Sequence, residues 1–525
     1  MRIFLWKQKD ERKIMPIQFR WGTIVVLSTL VILVSTLCFA ASKIMWETNG
    51  VLICSANGDA YFPQIISDGN GGTFIAWNDD RDGWLTGIYA QKVDSNGNVK
   101  WMKNGVQVRN LKDSHASSQQ LVSDGTGGVI ITWEDERDSE KEMYPNIYAQ
   151  RIDSKGSVKW TKNGVAVCNA KGHSAQLPQI ISDGKGGAII SWEDDRNGGI
   201  YAQRLGADRP DGHPLWQANG VSVWNVSSAS EPAMVSDGAG GAIITWSGTH
   251  SIYANRIDPN GLGQWPTKGS TSGVAVRGAN QVGEARLPQI VSDGTGGAVI
   301  TWNDCRSSSF EYCSIYANKV NSVGKTQWPM AGSISGIQVC NNNFIEVLER
   351  YPLISDGSGG AIITWSTWSD KCSENSGIYA QRIDFNENTK WTPNEIVVRT
   401  PLGSVAQSPQ LTTDGSGGAI ITWADYRREG PISNCQDIYA QRVTWTGDMT
   451  WTSNGVVVRG APCQNKAVAP QITTDGAGGA IITWHDDRGG EFSRIYAQRI
   501  AVDPPPPKPT KTPKRYKENE DSEQL

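Results

Sequence analysis

Apolar residues along this chain fall in short blocks of consecutive positions, each entered through a glycine-rich turn. Ala188-Ile189-Ile190-Ser191-Trp192 follows Ser182-Asp183-Gly184-Lys185-Gly186-Gly187. The Ser/Thr-Asp-Gly start recurs at Ser67, Ser123, Ser182, Ser236, Ser292, Ser355, Thr413 and Thr474. Spacings of 54 to 63 residues mark a long-period array in which each copy is one supersecondary unit.

The third copy shows the unit in full. Residues 177–181 predict a first strand, 188–192 a second, 200–205 a third and 219–223 a fourth, separated by polar turns. Four short, β-branched strands of this kind make a propeller blade. The second strand is apolar on consecutive positions, as a strand buried on both faces requires. No useful length of chain carries apolar residues at 3.6-residue spacing, and a parallel β-helix usually has a shorter period.

The ends of the array decide between an open and a closed form. The last copy stops at Ile495-Tyr496-Ala497-Gln498-Arg499-Ile500, without its Trp-x-x-Asn-Gly-Val strand. That piece stands at the other end, as Trp46-Glu47-Thr48-Asn49-Gly50-Val51. Pairing it into the last blade leaves no open edge. The expected fold is all-β: an eight-bladed β-propeller of four-stranded antiparallel blades over residues 46–500, closed by the N-terminal strand.

Two tryptophans hold fixed places in every copy. Trp77, Trp133, Trp192, Trp246, Trp302, Trp365, Trp423 and Trp484 end the second strands. Trp46, Trp101, Trp160, Trp216, Trp265, Trp328, Trp391 and Trp451 precede the fourth. Recurrence in every unit points to packing between blades, since ligand sites are few per protein.

The run Ile147-Tyr148-Ala149-Gln150-Arg151-Ile152-Asp153-Ser154-Lys155-Gly156, with Trp160 four residues on, resembles the tryptophan-docking repeat of eight-bladed propellers. That group includes the quinoprotein alcohol dehydrogenases and an outer-membrane assembly lipoprotein. The Ser-Asp-Gly-x-Gly-Gly turn and its trailing tryptophan are similar to the Asp-box turn of sialidases. Both resemblances concern architecture. The vicinal cysteine pair of the quinoprotein dehydrogenases is missing from this sequence, and no matched set of three arginines with a Tyr/Glu nucleophile can be assigned.

Charge bears on compartment. Residues 1–20 hold Arg2, Lys7, Lys9, Arg12, Lys13 and Arg20 against Asp10 and Glu11, whereas residues 21–41 carry no charge. A basic segment followed by an apolar one is an export signal that keeps the N-terminus inside. Cys38 and Ala40 frame a small-residue cleavage site, so residues 21–41 read as a signal peptide. The same stretch is long enough to remain as a membrane anchor. Either way the ring lies outside the cytoplasm, secreted or displayed. The chain is −4 overall, and six positive and two negative side chains in residues 1–41 leave the remainder at −8. A body of that charge gives no footing for nucleic acid. Residues 501–525 begin with a proline run and continue as a charged tail, expected to be disordered.

Eight cysteines follow Cys38, and in an exported protein they point to disulfides. Cys305–Cys313 across one hairpin is the first expectation, then Cys435–Cys463 and Cys340–Cys372. Connectivity is not fixed by sequence. No Cys-x-x-Cys pair or neighbouring histidine makes a metal set.

The most suggestive polar motif is Trp-x-Asp-x-Arg, present as Asp79/Arg81, Asp135/Arg137, Asp194/Arg196, Asp304/Arg306, Asp425/Arg427 and Asp486/Arg488. Its repetition points to a structural ion-paired lock between blades or loops; the alternative is a charged ring that binds a polyanion or sugar. Copies four and six break the rule, which singles out His250 and Trp368 as candidate binding positions. The Asp of each Ser-Asp-Gly turn suits a tight turn, and calcium there is the lesser alternative. No other cofactor is expected. The five histidines sit in no nucleophile or metalloprotease motif, so no catalytic residue is assigned.

The resulting expectation is an exported, non-catalytic monomer. It would bind a protein or glycan at the cell surface through the second-to-third-strand loops of copies two, five, six and seven. The alternatives are a carbohydrate-active or quinone-dependent enzyme working at the disc axis, or an envelope assembly scaffold.

Overall fold

A strand that is apolar on both faces is stable only between two other sheets. The computed structural model shows how this chain supplies them. It describes residues 41–503, apart from 84–85, 139–143, 210, 279–282, 307–312, 330–333, 341–350, 368–375, 392–394, 402–403, 428–434, 461–464 and 489. The N-terminal segment of residues 1–40 and the tail beyond 503 therefore lie outside the described residues.

Seven repeats fold as four-stranded antiparallel sheets with their strands in sequence order, and the eighth sheet draws on both ends of the chain. Blade one consists of Ala60–Ser67, Thr73–Asp79, Gly87–Val93 and Val106–Arg109. The first strands of successive blades touch one another all the way round, blade eight to blade one included. They therefore encircle the axis, and eight sheets make a closed ring.

The second strands are the core of each blade. All seven residues of Thr73–Asp79 are buried. The tryptophans that end these strands are fully buried and stack on a third-strand tyrosine, as Trp77 does on Tyr89 with centroids 6.4 Å apart. The tryptophans that precede the fourth strands reach across to the next blade. Trp101 Nε1 donates to the Ser154 carbonyl at 3.2 Å, Trp216 to Pro259 at 3.0 Å and Trp391 to Trp445 at 3.1 Å.

Blade eight is assembled from both ends of the chain. Ala467–Thr474, Ala480–Asp486 and Arg494–Asp503 come from the C-terminal side, and Val51–Cys54 from the N-terminal side. Val51 lies opposite Ala497 and Leu52 opposite Tyr496. A further strand, Ala41–Ile44, which sequence reasoning missed, pairs with the extension of the same partner, Ala41 opposite Asp503.

The seam uses the chemistry of an ordinary blade. The Trp46 amide donates to Gln498 Oε1 at 3.0 Å, as the Trp160 amide does to Gln150 at 2.9 Å. Gly50, at φ 96°, lies against Trp484 so closely that a Cβ would sit 2.6 Å from the ring. Gly105 sits on Trp77 in the same way. The Asn-Gly pair is thus required both by the left-handed backbone and by the tryptophan.

Cys305 and Cys313 form a disulfide. Cys435 is also disulfide-bonded; Cys463 lies outside the described residues. Cys340 is buried, and Cys372, paired with it by expectation, lies outside them too.

Gly50→Ala is expected to destabilise the ring by about 2–4 kcal/mol through overpacking plus backbone strain. Gly69→Ala, at φ 76° with open space around the new Cβ, should cost about 1 kcal/mol. Denaturant unfolding of the two variants checks the seam, and equal costs would mean that the N-terminal strand is not seated on Trp484.

Candidate functional site at the axial mouth

Each second strand faces two neighbouring blades, and its two faces do different work. On one face lie the tryptophan and aspartate of the Trp-x-Asp-x-Arg motif. Trp133 Nε1 donates to Asp135 at 2.7 Å, and Arg137 pairs with the same carboxylate. A third partner comes from the fourth strand of the preceding blade: Arg109, completely buried, reaches Asp135 at 3.1 Å. Arg277, Arg399 and Arg459 meet Asp304, Asp425 and Asp486 in the same way. Burial alone would raise the Asp135 carboxyl, but Arg137 and Arg109 outweigh it and hold the group below the usual carboxylate range.

The expectation is a lock between blades or loops, and the contacts of the motif arginines are of both kinds. Arg81 and Arg196 touch the preceding blade, at Cys54 Sγ (3.3 Å) and Cys168 Sγ (4.0 Å), whereas the fourth-strand arginines cross directly onto the aspartates. Arg306 pairs with Asp304 at 3.0 Å and Arg427 with Asp425 at 2.5 Å, each two residues back on its own strand. Each then reaches a carbonyl just before the fourth strand of its own blade, Arg306 that of Ser335 and Arg427 that of Asn454 at 2.8 Å. Arg81, Arg137, Arg196 and Arg488 reach Asn104, Asn163, Asn219 and Asn49 likewise. The reason is position: standing just past the strand end, the guanidinium lies over its own third-strand tyrosine. Arg306 sits 3.8 Å from the Tyr316 centroid and Arg427 3.8 Å from that of Tyr439.

Nor is the grip the same in all six copies. Arg81, Arg196 and Arg488 turn Nε onto the aspartate. In Arg306 and Arg427, as in Arg137, Nε is buried without a hydrogen-bond partner among the described residues. Those three blades have a fourth-strand arginine on the same carboxylate. So does blade eight, where Arg459 and Arg488 both reach Asp486, so sharing the carboxylate does not by itself set the difference.

Where the fourth strand ends in cysteine, a thiol takes the guanidinium's place. Cys54 Sγ donates to Asp79 at 3.6 Å, and burial together with Asp79 pushes the thiol up to about 11, so it stays protonated. Cys168 does the same for Asp194. These carboxylates are buried, so they are closed to a polyanion or sugar.

In blade four the aspartate position is Gly248. Trp224 stands in the arginine position and packs on Trp246 and Tyr253, with centroids 5.3 Å and 4.7 Å away. In blade six Thr367 replaces the aspartate. Trp246 Nε1 and Trp365 Nε1 then lack a hydrogen-bond partner among the described residues. His250 is an exposed turn residue at φ 57°, and its carbonyl accepts a bond from Arg277. Trp368 and most of the second-to-third-strand loops of blades two, five, six and seven fall outside the described residues.

The Ser-Asp-Gly turns are also fully committed. Asp124 Oδ1 accepts the amides of Thr126 and Gly128, both at 2.8 Å, and Oδ2 pairs with Arg151 at 2.9 Å. The other seven turns pair their aspartate with an arginine or lysine of the third strand, including Arg204–Asp183 and Arg499–Asp475. That arrangement leaves no carboxylate oxygen turned outward for calcium.

The opposite face of the second strand carries the residue between Trp and Asp, and here the repeat stops repeating: Asn78, Glu134, Glu193, Ser247, Asn303, Ser366, Ala424 and His485. Asn78, Glu134 and Glu193 bond the first strand of the next blade, and Ser247 that of its own. Asn78 Nδ2 donates to the Ala116 carbonyl at 2.9 Å. Glu134 Oε1 accepts the Leu177 amide at 2.7 Å, and Glu193 accepts the Glu231 amide at 3.3 Å. Glu231 in turn accepts the Leu287 amide at 2.6 Å and the Ser247 hydroxyl at 2.9 Å. Three carboxylates on blades two to four are thereby held in place around the axis.

First strands contain a bulge that sequence reasoning missed. Pairing skips from Tyr61 to Gln64, and the residue inside the gap, Phe62, takes φ 50°. Ser118, Leu177, Glu231, Leu287, Ser408 and Ala469 adopt the same left-handed conformation at the same place. A bulge re-aims one side chain at the cost of backbone strain of about 1–3 kcal/mol. Phe62 is the clearest product, 58% exposed. It forms one wall of a cavity of about 410 Å³ between blades one and two, together with Tyr61, Gln64, Asn78, Ser117, Ser118 and Gln120. None of the residues lining it is charged.

His485 closes the mouth from blade eight, its ring edge-on to Phe62 with centroids 6.0 Å apart. Burial lowers it to about 4, against an upward pull from Asp486 and Asp59. Between pH 6.5 and 4 the unfolded chain therefore takes up a proton that the folded ring refuses, and stability falls with pH by about 1–3 kcal/mol. The depressed carboxylates Asp124, Asp135, Asp356 and Asp425 act lower: their contribution is intact above about pH 3.9 and lost below it. His485→Gln is expected to flatten the decline between pH 6.5 and 4.5, read from denaturant midpoints, without altering unfolding below pH 3.9.

No family model matches the chain, and no curated protein sequence does either. Among solved structures the ring is similar to polysaccharide lyase Uly1, with TM-score 0.42 and 9% identity over 88% of this chain and 92% of that one. It is similar to a protein of unknown function from Dyadobacter fermentans, with TM-score 0.40 and 10% identity over 88% and 99%. A PL25 ulvan lyase gives TM-score 0.39 and 8% identity over 86% and 94%. At such identities the activity has to be argued from the residues of this chain.

Proposed function

We propose that this ring binds carbohydrate at its axial mouth, outside the cytoplasm, with blades one and two forming the sugar-facing wall. The observation that carries the reading is Phe62. Folding gains little from a ring left 58% exposed on a strained bulge. An aromatic face beside amides and hydroxyls is what a pyranose requires, since its C–H face packs on the ring and its hydroxyls exchange hydrogen bonds with Gln64, Gln120, Ser117 and Ser118. The disulfide chemistry fits an oxidising compartment.

Catalysis on the bound sugar stands beside plain binding, because Glu134, Glu193 and Glu231 are fixed at the same mouth by backbone amides. Glycoside hydrolysis uses two such carboxylates, and a preorganised shell is the structural requirement.

Calorimetric titration with a panel of neutral and uronate-containing oligosaccharides tests the proposal. Phe62→Ala is expected to weaken binding at least about tenfold, roughly the 1.4 kcal/mol of one lost stacking contact, with the unfolding midpoint unchanged. Product release abolished by Glu134→Gln or Glu231→Gln, with affinity retained, establishes the enzymatic form. Absence of binding across the panel, or binding indifferent to Phe62→Ala, overturns the reading.

A further inference from the structure

The face opposite to the loops with the disulfide has a different character. It is built from the Ser-Asp-Gly turns and from the turns that join third to fourth strands. In blades one, two and four the second position of that latter turn is small or compact: Ser95, Ser154 and Pro259. Blades six and seven place Phe385 and Trp445 there, 54% and 58% exposed, and blade five adds Val323 one position on, 63% exposed. Leu262, Met449, Val158 and Ile44 extend the exposed apolar positions along the same set of turns.

The backbone atoms of these turns are already engaged. The carbonyl of Trp445 accepts bonds from Arg382 and Trp391, both at 3.1 Å, and that of Phe385 accepts Trp328 Nε1 at 3.3 Å. The turns are therefore rigid, and the aromatic side chains are presented outward without any part in holding the blades. Other turn positions show that the fold does not need them.

Charge on the part of this face around blades five to seven is largely paired, whereas the corresponding turn of blade three exposes Asp208 and Asp211. Every Ser-Asp-Gly carboxylate is matched by a third-strand arginine or lysine. Asp94, Asp153 and Asp384 of the adjacent turns pair with Lys100, Lys159 and Lys390. A near-neutral surface studded with Trp, Phe and aliphatic side chains suits the boundary between headgroups and acyl chains of a bilayer.

The path of the chain supplies the second, independent observation. Third strands run from the loop face to the turn face, and Arg494–Asp503 continues past the point where Ile152 enters its turn in blade two. Its extension pairs with Ala41–Ile44, Ala41 opposite Asp503. This two-stranded ribbon lies at the turn-face end of blade eight, with Val502 buried against the blade core. Ala41, the first described residue, therefore lies at that end. Among the described residues no helix is long and apolar enough to cross a membrane.

We infer that the turn face, through Val323, Phe385, Trp445 and Met449, rests on an uncharged phospholipid surface and so points the axial mouth away from it. This docking is independent of what the mouth binds. It requires only that residues 21–41 keep the ring at the bilayer.

The full chain, reconstituted in phosphatidylcholine vesicles with brominated acyl chains, provides the test. Trp445 is the exposed tryptophan of the described ring, so bromine quenching of its emission should exceed that of Trp445→Phe by about one tryptophan's share. Phe385→Ser combined with Val323→Ser should reduce quenching of Trp445 at least about twofold, with near-ultraviolet circular dichroism unchanged. Equal quenching of the parent and Trp445→Phe, or recovery of the chain free of vesicles, overturns the inference.

Discussion

A blade that is apolar on both faces cannot end an array, and this constraint governs the whole molecule. Ile481 and Trp484 in the last complete second strand are as buried as their counterparts elsewhere. What covers Ile481 is blade one: a single apolar cluster joins Trp46, Ile53, Ile65, Ile75 and Trp77 with Ile481, Ile495 and Ala497. The ring shuts because leaving it open would expose the large apolar side chains of two blades, each worth roughly 1.5–3 kcal/mol.

With both faces of the second strand needed for packing, polar chemistry is confined to its end. There one buried carboxylate can join the tryptophan beside it, the arginine two residues on and a donor from the preceding blade. A buried carboxylate of this kind holds only if every partner is present. The choice between arginine and cysteine at the donor position shows two ways of meeting that demand. In blade four glycine and tryptophan remove the charges altogether and fill the space with aromatic rings.

Much of this was legible in the sequence. Strand order, the inward tryptophans and the orphan piece at Trp46 all follow from period and apolar blocks, because every unit has to bury the same surface. The fourth-strand arginines were not legible, since Arg109, Cys168 and Trp224 occupy one structural position with three chemistries. Their absence from the reading left the place of the lock open between blades and loops, whereas Arg277 and Arg399 carry the direct crossing from blade to blade. The bulge at Phe62 was missed although a signal stood beside it. Proline follows the left-handed residue as Pro63, Pro178, Pro232, Pro288, Pro409 and Pro470, and proline within a strand marks an edge or a bulge. A usable signal did exist for the mouth. The residue between Trp and Asp varies among the copies while its neighbours mostly stay fixed, and that is where Glu134, Glu193 and His485 stand. His250 and Trp368 drew notice as breaks in the lock, but a break in a buried lock changes packing, whereas variation on the axial face changes what a ligand meets.

Hydrogen exchange of the full chain addresses closure most directly. Residues 49–54 should exchange as slowly as residues 104–109 and 163–168, which form the same strand in blades one and two, and residues 495–500 should be protected with them. Fast exchange of 49–54 within an otherwise protected ring would contradict the seam, and with it the orientation of both faces.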